Sequence, residues 1–179
     1  MKLFKRKLKI LKERNIKKKF NTFFEWVKGA ELVELKSCVV KEDPVRPELD
    51  VVFRRSYGRK IFGLKYKKEI CAIMCFGFTD EVPRNITELD LMTKDAYLKS
   101  AQRDQNIGQI AIAYTVWSKK PGGGKLIVKE VFKMIKKSNH LNRLITLSPL
   151  TEMARNFLLK NGAVLIRINE ETQNFEYKI

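Results

Sequence analysis

The sequence predicts an α/β (α+β) fold: a mixed sheet flanked by helices, with a basic helical extension at its N-terminus. Three observations predict it. From about residue 110 the order is strand, glycine loop, helix, strand, helix, which builds a layered sheet. The runs "EICAIMCFGF" and "GQIAIAYTVWS" are apolar on both faces, as central strands are. Residues 1–28 carry eleven Lys/Arg and two Glu, so they hold more than half of the formal charge of +17. A chain of 179 residues that is 44% apolar suits one domain with an appended segment. We divide it into an extension over 1–28 and a domain over 29–179.

Each element follows from local pattern. Phe4, Leu8, Leu11, Ile16, Phe20, Phe23 and Val27 recur at helical steps, so residues 3–28 predict an amphipathic helix broken near Asn15. "FNTFFEWV" is aromatic enough to dock on a core. "ELVELKSCVV" reads as helix or strand, with a short strand near its end favoured. Pro47 opens a helix over 47–57, with Leu49, Val52 and Phe53 on one face. "KIFGLKY" and "EICAIMCFGF" form a hairpin about Lys67 and Lys68. Residues 79–107 read as loop with a short helix around 90–100. Residues 108–118 are a buried strand. A helix over about 123–137 turns Ile127, Val131, Met134 and Ile135 inward. "NRLITLSP" is a strand. "TEMARNFLLKNG" is a helix capped by Thr151, striped by Ala154, Phe157 and Leu158, and closed by Gly162. "AVLIRI" and "FEYKI" end the chain as a hairpin around "NEETQN".

Composition excludes several classes. No apolar run approaches about 18 residues, so no transmembrane helix is expected. The start "MKLFKRKLKILKERN" lacks the apolar stretch of a secretory signal. Three cysteines without framework spacing agree with a reducing compartment, so a cytoplasmic protein is expected. The basic segment reads either as a solvated face or as a contact for nucleic acid, an anionic membrane or a protein partner.

The sharpest feature is "WSKKPGGGKLIVKEVF". A strand runs into Gly122, Gly123 and Gly124, and a helix follows. The first turn of a helix has unpaired N–H groups at a positive dipole end, which suits an anion. Glycines let a phosphate approach the backbone. Lys119, Lys120 and Lys125 add charge there. The alternative is a tight turn needing positive φ. A P-loop is excluded, because Leu126 follows Lys125 where Ser or Thr must hold magnesium. The dinucleotide fingerprint is also absent.

With these residues in place, the sequence resembles the GNAT superfamily of acyl-CoA N-acyltransferases. That family's pyrophosphate loop reads Gln/Arg-x-x-Gly-x-Gly/Ala between its fourth strand and the next helix. Lys119-Lys120-Pro121-Gly122-Gly123-Gly124 stands in that place, with Lys119 where Gln or Arg is usual. A second signature, Asn-x-x-Ala-x-x-Phe/Leu-Tyr-x-Lys-x-Gly-Phe, is matched by "TEMARNFLLKNGA" at Ala154, Phe157, Lys160 and Gly162. The resemblance covers about residues 60–179. It implies a mostly antiparallel mixed sheet and acetyl-CoA or coenzyme A as cofactor. It implies an amine acceptor, a small molecule or a protein. Tyr114, Thr115, Val116 and Trp117 would splay from the neighbouring strand and pair with the pantetheine arm. Gly122, Gly123, Gly124, Lys119, Lys120 and Lys125 would serve the pyrophosphate. The departures are specific. The family's tyrosine, often the general acid, falls on Leu158; its Asn falls on Thr151, and its final Phe on Ala163. The catalytic residues therefore stay unassigned.

The tail "RNFLLKNGAVLIRINEETQNFEYKI" is also similar to the end of small GNAT-like proteins of tailed phages, some of them internal virion proteins. That implies a second reading: a non-catalytic module, in a host cytoplasm or a virion, whose basic helix contacts nucleic acid or a partner. Cys71 and Cys75, four apart on a strand, read as core on one face; a metal site would need more ligands than one His supplies. His140 reads as an exposed turn residue. Asp80, Glu81, Glu88, Asp90 and Asp95 read as solvated loop carboxylates or as the wall of an acceptor pocket for a cationic amine.

Overall fold

A computed structural model describes residues 25–103 and 107–178. Most of the basic helix expected over 3–28 lies outside the described residues. Its end is helical over 25–29, and Trp26 there is buried, edge-on to Tyr66 at 6.1 Å. The elements are β1 (Glu31–Leu35), α1 (Val51–Arg55), β2 (Lys60–Tyr66), β3 (Glu69–Thr79), α2 (Ile86–Arg103), β4 (Ile110–Ser118), α3 (Gly123–Lys136), β5 (Arg143–Pro149), α4 (Glu152–Lys160), β6 (Val164–Ile168) and β7 (Thr172–Tyr177). They form one seven-stranded sheet in the order β1-β2-β3-β4-β5-β7-β6. β4 and β5 are parallel; the other neighbours are antiparallel. The sheet is thus mixed and mostly antiparallel, as expected.

Both faces are covered, which is why the central strands are apolar throughout. On one face Ile127, Val128, Val131 and Ile135 of α3 pack on Met74, Ala111, Ala113 and Leu144. On the other, Leu89 of α2 and Phe53 of α1 pack with Cys75, Ile112, Tyr114 and Ile145. Gly77 admits α2 closely, since a Cβ there would lie 2.6 Å from Thr93 and 3.0 Å from Leu89.

Several expectations are corrected. The first strand lies at the start of 31–40, and 40–42 is a 3-10 turn. Pro47 precedes the helix instead of opening it. Asp50 caps α1 by accepting from Phe53 N at 2.7 Å, and Val52 is 75% exposed. Residues 86–103 are one long helix in place of a loop with a short helix. Asn85 caps it by accepting from Glu88 N at 2.8 Å. The last turn is shorter than "NEETQN", because Thr172, Gln173 and Asn174 already belong to β7. Cys71 and Cys75 do not share a core face. The pairing of β3 with β2 steps from Ile70–Lys65 to Ala72–Leu64, which leaves Cys71 as the extra residue. Cys71 packs in the α3-side core and Cys75 in the other.

Candidate functional site

Two parallel strands form the site by parting. β4 and β5 pair from Ile110–Arg143 to Ala113–Thr146. Both then continue, to Ser118 and Pro149, with no further pairing between them. A bulge starts the divergence. Thr115 pairs with Cys75 and Ala113 with Phe76, so Tyr114 is the extra residue of β4. Bulges bend a strand and raise its twist, which carries β4 away from β5. The result is a V with backbone walls. β3 takes one edge of the splayed half, at Thr115, Val116, Trp117 and Ser118. In an antiparallel pair, alternate residues turn N–H and C=O away from the partner strand, so that half offers hydrogen-bonding groups to the V.

The side chains of the splayed half face elsewhere. Tyr114, Thr115 and Trp117 are buried, while Val116 is half-buried and packs toward the α3-side core. Burial pushes the Tyr114 phenol up, and proximity to Cys75 adds to this. Neither its hydroxyl nor Trp117 Nε1 has a hydrogen-bond partner among the described residues.

The glycine loop lies at the open end. Gly122 is the residue before α3 and is left-handed, with φ 77°, where a side chain would be strained. Gly123 is buried, and a Cβ there would lie 2.5 Å from Ser118 Oγ. Gly124 faces the Phe157 ring. Gly123 N donates to Lys120 O at 3.0 Å. The amides of Gly124 and Lys125, in the first turn, have no acceptor among the described residues. Two of the three lysines are already paired: Lys119 with Glu42 at 2.5 Å and Lys120 with Glu69 at 3.1 Å. Lys125 is exposed.

Behind the splayed half of β4 lies a buried ion pair that sequence reasoning missed. Arg54 Nη2 donates to Asp43 Oδ2 at 2.8 Å, and both side chains are fully buried. Arg54 also donates to the carbonyls of Leu49 and Arg46, at 2.8 and 2.7 Å, and to Cys75 Sγ at 3.4 Å. Asp43 Oδ1 accepts from Val45 N at 2.8 Å and Arg46 N at 3.2 Å. Thr115 Oγ1 lies 2.9 Å from both carboxylate oxygens. The loop before α1 is thereby bolted to the splayed strand. "EDPVRP" carried one usable sign, since Asp before Pro marks a structured turn. Nothing local marked Arg54. Cys38 packs beside this network. A hydrogen bond with Cys75, aided by the Arg54 charge, lowers its thiol to about 7 against opposing desolvation. The partner Cys75 is pushed up.

The remaining candidates fall in three places. Asp80, Glu81 and Glu88 line a cavity of about 1040 Å³ with Glu170, Glu171 and Arg84 among its other walls. Asp90 is instead paired with Arg59, and Asp95 with Lys99 at 2.6 Å. Leu158 is 4% exposed, inside the α3-side core. His140 is half-buried against Ser138 Oγ at 3.1 Å. Among the described residues no group of His, Cys, Asp and Glu could hold a metal ion.

This arrangement defines a class. No protein-family model matches the chain, and no curated protein matches it. Solved structures share its fold. GphF, a GNAT-like decarboxylase in complex with isobutyryl-CoA, superposes with a TM-score of 0.59 at 9% identity, over 83% of this chain and 98% of that one. An acetyltransferase of Bacillus subtilis in complex with CoA gives 0.57 at 10% identity, over 84% and 99%. Malonyl-CoA decarboxylase from Cupriavidus metallidurans gives 0.50 at 20% identity, over 78% of this chain and 36% of that one, so this chain spans about a third of that enzyme. The fold is therefore that of the GNAT acetyltransferases and GNAT-like decarboxylases, as the two sequence signatures implied. Among the described residues no helix is long and apolar enough to cross a membrane.

Proposed function

We propose that the chain binds an acyl-coenzyme A in the V and transfers the acyl group to an amine. One observation carries this reading: β4–β5 pairing stops at Ala113–Thr146 while both strands run on. A gap walled by unpaired backbone suits a ligand with an amide-rich arm, and pantetheine is one. The chain's residues fit the rest of the coenzyme. The free amides of Gly124 and Lys125 and the exposed Lys125 suit a pyrophosphate at the start of α3. Tyr114, Thr115, Val116 and Trp117 serve through their backbone; their side chains hold the strand in place. The glycines serve by conformation, and Lys119 and Lys120 by charge that Glu42 and Glu69 partly neutralise.

The thioester supplies an activated carbonyl carbon. An N–H of the splayed strand stabilises the oxyanion when the amine nitrogen attacks. The carbon–sulfur bond then breaks, the amide forms, and the proton leaving the nitrogen ends on the departing sulfur or on water. Leu158 offers no proton, so the thiolate leaves without a side-chain acid at that position.

Calorimetry with acetyl-CoA tests the reading. Saturable binding that is lost in Gly122→Asp/Gly124→Asp supports it; no binding at millimolar ligand refutes it. Leu158 also favours a second reading, a GNAT-fold binding module without turnover whose basic segment 1–28 contacts nucleic acid or a protein. Coenzyme binding with no free thiol released across a panel of amines selects that reading. So does DNA binding that falls steeply with salt and disappears when the basic segment is removed.

A further inference from the structure

The loop between β1 and α1 carries a cation that the described residues do not neutralise. Arg46 Nε and Nη2 are both buried, and neither has a hydrogen-bond partner among the described residues. Burial lowers the pKa of this guanidinium, and attraction from Glu48, Asp43 and Glu171 offsets that only in part. Asp43 is already committed to Arg54, Thr115 and two backbone amides. Glu48 and Glu171 are exposed. Arg46 is half-buried as a residue, so the cost falls on this one guanidinium edge, and it is recovered when an anion meets that edge.

The backbone mount of Arg46 is rigid. Its N–H donates to Asp43 Oδ1, and its carbonyl accepts from Arg54 Nη2. That mount is joined to one lip of the V, and Arg46 lies within electrostatic reach of Glu171 beside the other. Asp43 ties it to Thr115 on the splayed half of β4. On the other side, Glu171 precedes Thr172, which pairs with Pro149 at the end of β5. Nε and Nη2 form one edge of the guanidinium, with two near-parallel N–H bonds. That edge matches the two oxygens of a carboxylate.

We infer that Arg46 anchors a substrate carboxylate at the mouth of the V, carried by the acyl chain or by the acceptor. This rests on the acyl-coenzyme A reading above. A monoanionic carboxylate suits the enclosed edge better than a phosphate, whose greater charge costs more to desolvate.

Calorimetry on the full chain separates the sources. Acetyl-CoA and malonyl-CoA are compared first. The protein saturated with coenzyme A is then titrated with free amino acids and with their α-amides. In one arm the carboxylate ligand is expected to bind at least about tenfold tighter than its neutral counterpart, the usual scale of a charge-assisted pair. Preference for malonyl-CoA places the carboxylate on the acyl chain; preference for the amino acids places it on the acceptor. Arg46→Gln is expected to erase the preference and leave acetyl-CoA affinity unchanged. Arg46→Lys, which keeps the charge without the fork, retains part of it and controls for folding. Equal affinities in both arms, or a preference that survives Arg46→Gln, overturn the assignment while acetyl-CoA still binds. Failure of acetyl-CoA itself to bind removes the reading of the V, and this one with it.

Discussion

Replacing Asp43 with asparagine removes one charge and almost no volume, so it isolates the electrostatics of the buried pair. The carboxylate now serves two groups of donors. Oδ1 faces the amides of Val45 and Arg46, and Oδ2 faces Arg54 Nη2. An asparagine has one oxygen. With the oxygen toward the amides, its NH₂ points at Arg54 and sets donor against donor. Flipped, the NH₂ meets the two amides instead. Either way a buried donor is orphaned and Arg54 keeps a charge without a counter-ion. Breaking a fully buried pair from one side costs about 3–5 kcal/mol, a large share of the roughly 5–15 kcal/mol that holds a domain folded. Arg54→Met should cost less, because Asp43 keeps Thr115 and two amides as donors. The double variant should be more stable than the two single losses added, by about 0.5–3 kcal/mol. Urea unfolding at neutral pH measures all four proteins, with the slope checked for constancy. An Asp43→Asn loss below about 1 kcal/mol, or strict additivity in the cycle, would refute the account of this pair as buried and mutually dependent.

Three further outcomes are expected. Alkylation of Cys38 by iodoacetamide should rise through pH about 7, well below the ordinary thiol midpoint of 9.0, and Cys75→Ala should move the midpoint back up; a native midpoint near the ordinary value would contradict the contact with Cys75. Tyr177 has a buried hydroxyl with no partner among the described residues, so Tyr177→Phe should leave stability unchanged or raise it by up to about 1 kcal/mol, and a loss of that size in thermal melts would mean the hydroxyl is bonded. Gly123→Ala should destabilise by about 1–3 kcal/mol through overpacking on Ser118, and Ser118→Ala added to it should recover most of the loss; equal stability of Gly123→Ala and wild type would show that the close approach is not real.

The strands and the two helices after β4 were legible because their signals are local. β2, β3 and β4 show long apolar runs, and α3 repeats Ile127, Val131 and Ile135 at helical steps. α2 was largely missed for a physical reason. Its buried stripe is Leu89, Thr93, Ala96 and Ser100, so half of the inward face is hydroxyl. Meanwhile Leu91 and Leu98 are exposed. A helix whose polar and apolar residues are exchanged between faces carries little amphipathic signal. The hydroxyls are satisfied within the helix, Thr93 by Leu89 O at 2.8 Å and Ser100 by Tyr97 O at 2.8 Å. Asn85 three residues before Glu88 was the readable sign that the helix began there.

The bulges at Cys71 and Tyr114 could not be read, since a bulge belongs to the pairing of two strands and neither strand alone encodes it. Each one reverses the alternation beyond it. That is how Cys71 and Cys75 come to opposite cores despite their even spacing. It is also why Thr115 shares a face with Cys75 and reaches Asp43. The candidate site was therefore legible along the chain but not across it. The residues of the splayed strand and the glycine loop could be named, whereas Asp43, Arg46 and Arg54 come together only through long-range packing.

The glycine loop shows how the two levels combine. Each glycine has a reason inside the protein: Gly122 for its left-handed φ, Gly123 for the approach of Ser118, Gly124 for the ring of Phe157. A phosphate is not needed to account for any of them. The case for an anion rests instead on what those three contacts leave behind. They pin the start of α3 against β4 and α4, which fixes the direction of the free amides of Gly124 and Lys125. Two of the three nearby lysines are turned to Glu42 and Glu69, so the fixed amides act with Lys125 to supply the local positive potential that those two pairs do not offset. A site of this kind loses affinity when its backbone is displaced more than when a paired lysine is removed. Lys119→Ala should weaken acetyl-CoA binding much less than Gly122→Asp/Gly124→Asp does. The reverse order in calorimetry would mean that side-chain charge, and not the geometry the glycines permit, holds the anion.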